Sequence, residues 1–299
     1  MIPFAYSHRN LRVRWKTTLM TASGFTLVVA ALVVMLAFVN GLRAVCAVTG
    51  QPENVLVLSR GNSDEVLSQL DRRTVSQASD DPGVLRDSTG QLLASPELFC
   101  AINQRNEKSG DYKALQTRGV HPVALDVHSQ VEIVEGRMFR PGQGEVILGR
   151  AVQRNLGLGV GDKLPMGRKD WRIVGVFSSA GSIFESEIWT DLEELGAQFR
   201  RDAAYSSIVL RTADADSAQK VAQRLSESRQ MPIDAQPEPE YYLKQSKQTE
   251  ALRTAGITVA IFMGIGAVFG VTNTMFAAIG QRTKDIAVMR LLGFRQHEI

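Results

Sequence analysis

The chain has 299 residues, of which 44% are hydrophobic and 22% charged, with a formal net charge of +3. Such a length suits one large or two ordinary domains. The averages hide an uneven charge distribution, so the basic balance reflects local clusters rather than a nucleic-acid surface.

Residues 1–16 are basic, with Arg9, Arg12, Arg14 and Lys16. Residues 17–42 then run without a charge. As a helix this run is roughly 40 Å long, beyond the roughly 30 Å hydrocarbon core. It also exceeds the roughly 7 to 15 apolar residues of a secretory signal, so it is expected to stay in place as transmembrane helix 1. Residues 254–280 repeat the pattern and are expected to form transmembrane helix 2. The tail 281–299 brings Arg282, Lys284, Arg290 and Arg295 against Asp285 and Glu298, whereas the block between the runs holds more acids than bases. By the positive-inside rule both termini are expected in the cytoplasm and the block 43–253 outside, with 43–236 as its folded domain.

Within that block Asn54–Ser59 predicts a strand, and a helical stretch near Arg72 to Ala78 leads to the turn Asp80-Asp81-Pro82-Gly83. Short β segments follow at Glu145–Leu148, Trp171–Phe177 and Glu187–Trp189, with short helices at Arg150–Asn155 and Asp191–Phe199. Tyr205–Arg211 predicts a strand. Asp214 or Asp216 can cap a helix carrying Ala218, Val221, Ala222 and Leu225 on one face, and 232–236 returns as a strand. The expected fold class is an α/β membrane protein: two transmembrane helices flanking a mixed α+β domain with a βαβ-type lobe and a β-rich lobe. Residues 237–253 are expected to form a stalk helix continuing into the second span.

No residue pattern predicts a catalytic site, a cofactor or a metal. Gly157-Leu-Gly-Val-Gly161-Asp-Lys163 has the glycine spacing of neither nucleotide fingerprint and predicts a turn entering a strand. His121 and His128, seven positions apart with no cysteine nearby, predict solvated or core histidines. Cys46 and Cys100 fall where a disulfide is chemically permitted, although two isolated thiols favour buried free cysteines. In the second span Gly256, Ala260 and Gly264 recur every four residues, as do Gly266 and Gly270, which predicts close helix packing. Gln281 to Gly293 predicts a helix with Ile286, Met289 and Leu292 on one face, Asp285 near its start and Gly293 at its end. On physical grounds alone that helix is either a protein contact or an interfacial helix on lipid.

Asn273-Thr-Met275, Gln281-Arg282, Asp285-Ile-Ala-Val-Met-Arg-Leu-Leu-Gly293 and Glu298-Ile299 resemble the second membrane helix and coupling segment of MacB/FtsX-type ABC transporter permeases. The family typically reads Arg-x-x-Glu-Ile-Gly-x-x-Arg-Ala-x-Gly, so Asp285, Ala287 and Leu291 are departures. Glu135-Gly-Arg-Met-Phe139, Glu145-Val-Ile-Leu-Gly149, Leu156 to Asp162 and Ile173-Val-Gly-Val176 are similar, in order, to phrases of the MacB-like periplasmic core domain. The resemblance implies a multi-pass permease of the bacterial inner membrane and a permease dimer. It also implies a separate cytoplasmic ABC ATPase touching Asp285, Ile286, Met289, Arg290 and Gly293, together with a periplasmic adaptor and outer-membrane channel. Family members have two further membrane helices, so 281–299 is expected to lead into a third helix supplied beyond this sequence. The alternatives are a two-span extracytoplasmic sensor, which needs a signalling module after the second span, and an FtsX-like regulator of cell-wall hydrolases.

Overall fold

Asn54–Ser59 forms strand β1, and its alternate residues face two different cores: Val55 and Val57 on one side, Leu56 and Leu58 on the other. A strand covered on both faces reads as a continuous apolar run, which is why this segment is conspicuous in the sequence. The computed structural model describes residues 15–105, 112–202, 204–281, 283–291 and 293. They divide into one unit drawn from 1–41 and 247–299 and a second comprising 42–246.

In chain order α1 (Trp15–Thr49) and β1 are followed by β2 (Leu70–Asp71), α2 (Arg72–Ser79), the long β3 (Ala94–Arg105) and β4 (Tyr112–Val120). Next come α3 (Ala124–Val127), β5 (Glu132–Gly136), β6 (Glu145–Gly149), α4 (Arg150–Leu156), β7 (Lys163–Met166) and β8 (Lys169–Ser178). A 3-10 turn at Ile183–Ser186 leads to β9 (Glu187–Asp191) and α5 (Leu192–Phe199), then β10 (Ala204–Tyr205), β11 (Ser207–Arg211), α6 (Ala215–Glu227) and β12 (Ile233–Pro237). The last helices are α7 (Glu238–Gln281) and α8 (Thr283–Leu291).

In the 42–246 unit one sheet runs in the order β12-β1-β11-β3-β4-β9-β6-β8-β5, with β7 on β8. β11 and β12 both lie antiparallel to β1, hence parallel to each other, and α6 crosses between them as a split βαβ unit. Asp214 caps α6, its Oδ1 accepting from the Ser217 amide at 2.8 Å. Ala218, Val221, Ala222 and Leu225 then pack against Val55, Val57, Ile208 and Leu210. At the far end of the sheet β4 pairs parallel with β9, and β6 parallel with β8. α4 closes on Gly157 at φ 68°, the left-handed conformation that glycine adopts without a Cβ penalty. That residue starts the glycine-rich turn into β7.

The expected pair of lobes takes a different form here. β3 belongs to both: Ala94–Glu97 pair with β11, and Leu98–Arg105 pair with β4, so one sheet path runs through the two lobes. The β3–β4 hairpin was not expected from the sequence. Ser95, Glu97, Asn103 and Gln104 interrupt any apolar alternation along β3. Tyr205–Arg211 is likewise broken, at Ser206, into β10 and β11.

In the other unit α7 contains Thr254–Thr272, which is long and apolar enough to cross a membrane. The apolar stretch of α1, Ala22–Phe38, is shorter than that length. Polar Thr17, Thr18, Thr21, Ser23 and Asn40 dilute the ends of the uncharged run 17–42. Both stretches carry large apolar side chains on their surface, among them Val34, Phe38, Phe262 and Phe269. Such surfaces suit a lipid or protein neighbour rather than water.

Candidate functional site

The end of α1 and the start of α7 enter the mixed unit side by side. A Cβ built on Gly50 would fall 2.6 Å from Cα of Pro239, so the backbones meet where only glycine fits. Thr49, buried at the end of α1, accepts on Oγ1 from the Ile183 amide at 3.0 Å, and its carbonyl accepts from Gln130 Nε2 at 2.5 Å. Glu238 opens α7 with its carboxylate fully buried. Oε2 accepts from the Gln51 amide and from Asn54 Nδ2, each at 2.9 Å.

Beside this junction lies a buried ion network. Arg118 of β4 is 2% exposed and donates to three carboxylates. Its Nε and Nη2 form a fork with Glu187, both bonds at 2.8 Å. Nη1 reaches Glu65 at 2.8 Å and Glu97 at 2.5 Å. The guanidinium also lies against the rings of Phe99 and Phe184, with centroids 5.2 and 5.4 Å away. Each carboxylate has further donors: Ser95 to Glu97 at 2.8 Å, Ser207 to Glu65 at 2.6 Å, and the Trp189 indole to Glu187 at 2.9 Å. β11, β3, β4 and β9 are adjacent in the sheet, so pairing brings Ser207, Glu97, Arg118 and Glu187 together, while Glu65 comes from the loop between β1 and β2.

His128, which follows α3, links this network to α7. Its Nε2 is 2.8 Å from Glu97 Oε1, and its Nδ1 is 3.7 Å from Glu238 Oε1. The second gap is too long for a hydrogen bond, and both atoms are otherwise unpartnered. Burial would lower the His128 pKa, but the Glu97 charge outweighs it and raises the pKa above the ordinary value. Burial would likewise raise the Glu97 carboxyl, yet His128 and Arg118 hold it at about 2. For Glu187 and Glu238 burial wins and both are raised. The difference between Glu97 and Glu238 follows the distance of each from the imidazolium. Tyr241 and Tyr242 of α7 are buried against the same cluster, with the Tyr242 ring edge-on to Phe184 at 6.2 Å. Tyr241, Tyr242, Arg118 and Glu187 line a cavity of about 170 Å³.

These groups are spent on one another, as expected of a structural clamp. Removing one partner of a buried ionic group strands the others, whereas the complete set fixes a unique arrangement. None of the network residues was predicted from the sequence as a site. The signals available in the sequence were slight: Glu97 lies in a stretch that reads as no regular element, and Glu238 lies between Pro237 and Pro239 at the start of the expected stalk.

The residues singled out from sequence are scattered. Cys46 and Cys100 are both buried free thiols, so the permitted disulfide is not formed. They lie in different apolar clusters, Cys46 with Trp189 and Tyr242, and Cys100 with Leu98 and Leu115. Gly256 faces α1, where a Cβ would fall 1.5 Å from Cε of Met35. Ala260 and Gly264 are half-buried, and Gly266 and Gly270 are exposed. Asp285, Ile286, Met289 and Arg290 lie on α8, and Gly293 follows it at φ 91°. Arg290 and Leu291 are exposed, while the side chains of Asp285, Ile286 and Met289 lie outside the described residues, as do Arg282, Leu292 and 294–299.

A mixed α/β sheet domain with a split βαβ crossover, flanked in the chain by two long helices with apolar stretches, is the class of fold defined here. The family model for the MacB-like periplasmic core domain matches residues 18–228, and the chain belongs to that family. It thus carries the periplasmic domain of an ABC-type permease of the MacB/FtsX type, a transporter component. Among solved structures the chain is similar to the extracellular domain of the noncanonic ABC-type transporter YknZ from Gram-positive bacteria. The identity is 15% over 61% of this chain and 99% of that one, with a TM-score of 0.45. For the periplasmic region of MacB from Actinobacillus actinomycetemcomitans the values are 12%, 66%, 92% and 0.48. For a domain of a permease protein described as putative from Porphyromonas gingivalis they are 16%, 62%, 87% and 0.38. No curated protein matches the chain by sequence.

Proposed function

We propose that the chain is the permease subunit of an ABC-type export or mechanotransmission complex in a bacterial inner membrane. In this reading the 17–42 and 254–280 segments span the membrane, both termini are cytoplasmic, and the MacB-like domain stands in the periplasm. A separate cytoplasmic ATPase hydrolyses ATP and moves the segment around α8. The long helices α1 and α7 carry that movement outward, with paired permeases working as a dimer and an adaptor and outer-membrane channel completing an export route.

The observation that supports the reading best is the way α7 begins. Its first residue, Glu238, is fully buried against Asn54 and His128, and Tyr241 and Tyr242 are buried one turn on. A helix anchored in this way transmits displacement to the sheet instead of pivoting on a loose linker. The apolar stretch Thr254–Thr272 lies further along the same helix.

The test addresses the ATPase contact. Replacing Ile286 and Met289 together by Asp places charge in a contact that should exclude water, at a cost of ~2 to 5 kcal/mol. Association then weakens roughly 30-fold or more. Co-purification of the ATPase with the membrane-extracted permease, at equal permease levels, should fall accordingly. Undiminished recovery would remove α8 from the interface and favour a helix lying on lipid.

A further inference from the structure

β4 and β9 run parallel in the register Val120↔Asp191, so the residue following β4 and the last residue of β9 emerge at the same edge of the sheet. The carboxyl ends of parallel strands are a recurrent place for ligands. Here they bring together His121, Asp191 and, two residues into α5, Glu193. One donor atom from each of the three lies within 4.8 Å of the other two. His121 Nε2 and Glu193 Oε1 are 3.5 Å apart. Two ligands bound to one zinc ion at ~2.1 Å in tetrahedral geometry sit roughly 3.4 Å from each other, so little movement is needed.

A second, independent feature marks the position. Asp191 is 3% exposed; its Oδ2 accepts from the Glu194 amide at 3.3 Å, and its Oδ1 is buried without a hydrogen bond of normal geometry, the Gly142 amide being a second, weaker donor to the carboxylate. A buried carboxylate oxygen without a well-formed hydrogen bond is costly unless something positive occupies its lone pairs. His121 and Glu193 also line a cavity of about 330 Å³, with Arg72 and Arg201 on its wall. That is ample room for the waters or the anionic ligand of a metal with open positions.

We propose that His121, Asp191 and Glu193 bind one divalent transition-metal ion, with its open coordination positions facing this cavity. The donor set selects the class of ion. One imidazole suits Zn²⁺, Cu²⁺ or Ni²⁺ better than Ca²⁺ or Mg²⁺, and two carboxylates balance the double charge. The sequence could not show the site, because the histidine and the acids are some 70 positions apart and meet only through parallel pairing.

The experiment is titration of Zn²⁺ into the untagged, chelator-stripped full chain in detergent by calorimetry, repeated with Co²⁺ by absorption. The expected result is one ion per chain, bound in preference to Ca²⁺, with Co²⁺ bands of nitrogen and oxygen ligation. His121→Ala and Glu193→Gln should each weaken binding at least ~10-fold. Asp191→Asn, which keeps an oxygen for the α5 cap, should do the same. Glu193 is exposed, so its replacement leaves the fold intact. Absence of binding by the wild type would overturn the proposal. So would affinity unchanged in all three variants, or thiolate charge-transfer bands assigning the ion to Cys46 or Cys100.

Discussion

The split βαβ lobe and the junction around Arg118 are both closed to water, by opposite means. In the lobe α6 covers β1 and β11 with Ala218, Val221, Ala222 and Leu225, and burial is non-directional and apolar. At the junction the buried volume is filled by Arg118, His128 and the carboxylates of Glu65, Glu97, Glu187 and Glu238. Their attraction compensates desolvation only in one geometry. The lobe should therefore tolerate changes that preserve volume, whereas the junction should not tolerate changes that preserve shape but lose a charge. That is the difference expected between a domain's packing and the anchored end of a long helix.

Arg118→Met tests the contrast with the largest expected effect. The stem is retained, but three buried carboxylates lose their cation, at a cost of ~3 to 5 kcal/mol. Denaturant unfolding of the full chain, followed by the fluorescence of buried Trp171 and Trp189, measures the loss. A cost under ~1 kcal/mol would mean that water or protons replace the guanidinium and that the network is not a clamp.

A pH series sharpens the comparison next. The folded pKa of His128 is raised, so its contribution is complete below the ordinary histidine value of ~6.5 and is lost as pH rises through the folded value. Glu97, held at about 2, contributes above the ordinary glutamate range and loses that contribution only as pH falls towards 2. Glu97, Glu238 and Arg118 are the charged groups facing the imidazole, so its deprotonation leaves the cluster more negative. Stability should decline as pH rises above ~6.5 and through the raised value of His128, and His128→Gln should flatten that decline. An equally steep decline in the variant would assign it to other groups.

The smallest expected effect is in the lobe. Ile208→Val removes one buried methylene between β11 and the α6 cluster, costing ~0.5 to 1.5 kcal/mol with no dependence on pH. A pH-dependent cost would show that the two regions are coupled more tightly than their separate cores suggest.

The same contrast explains what was legible in the sequence. β1, α6, β6, β8 and β9 announce themselves because apolar residues recur at strand or helix spacing, and Asp214 marks the start of α6. β3 and β4 were missed because Ser95, Glu97, Thr117 and Arg118 look like surface residues until their partners are known. A buried charge is recognised by what it meets, and here the partners come from β3, β9 and the loop after β1, with His128 and Glu238 beyond them. His121, Asp191 and Glu193 were hidden for the same reason. α8, in contrast, was visible through a local motif, although its role as a coupling segment rests on resemblance.

The proposed relay requires the mixed domain to lie outside the membrane between two spans. The most direct measurement is a pair of reporter fusions in a bacterial host, alkaline phosphatase inserted at Gly110 between β3 and β4, and a fluorescent protein after Ile299. Both should be active, since phosphatase folds only outside the cytoplasm and the fluorescent protein matures within it. An inactive phosphatase at Gly110, in a chain that still accumulates in the membrane, would contradict the topology and the relay built on it.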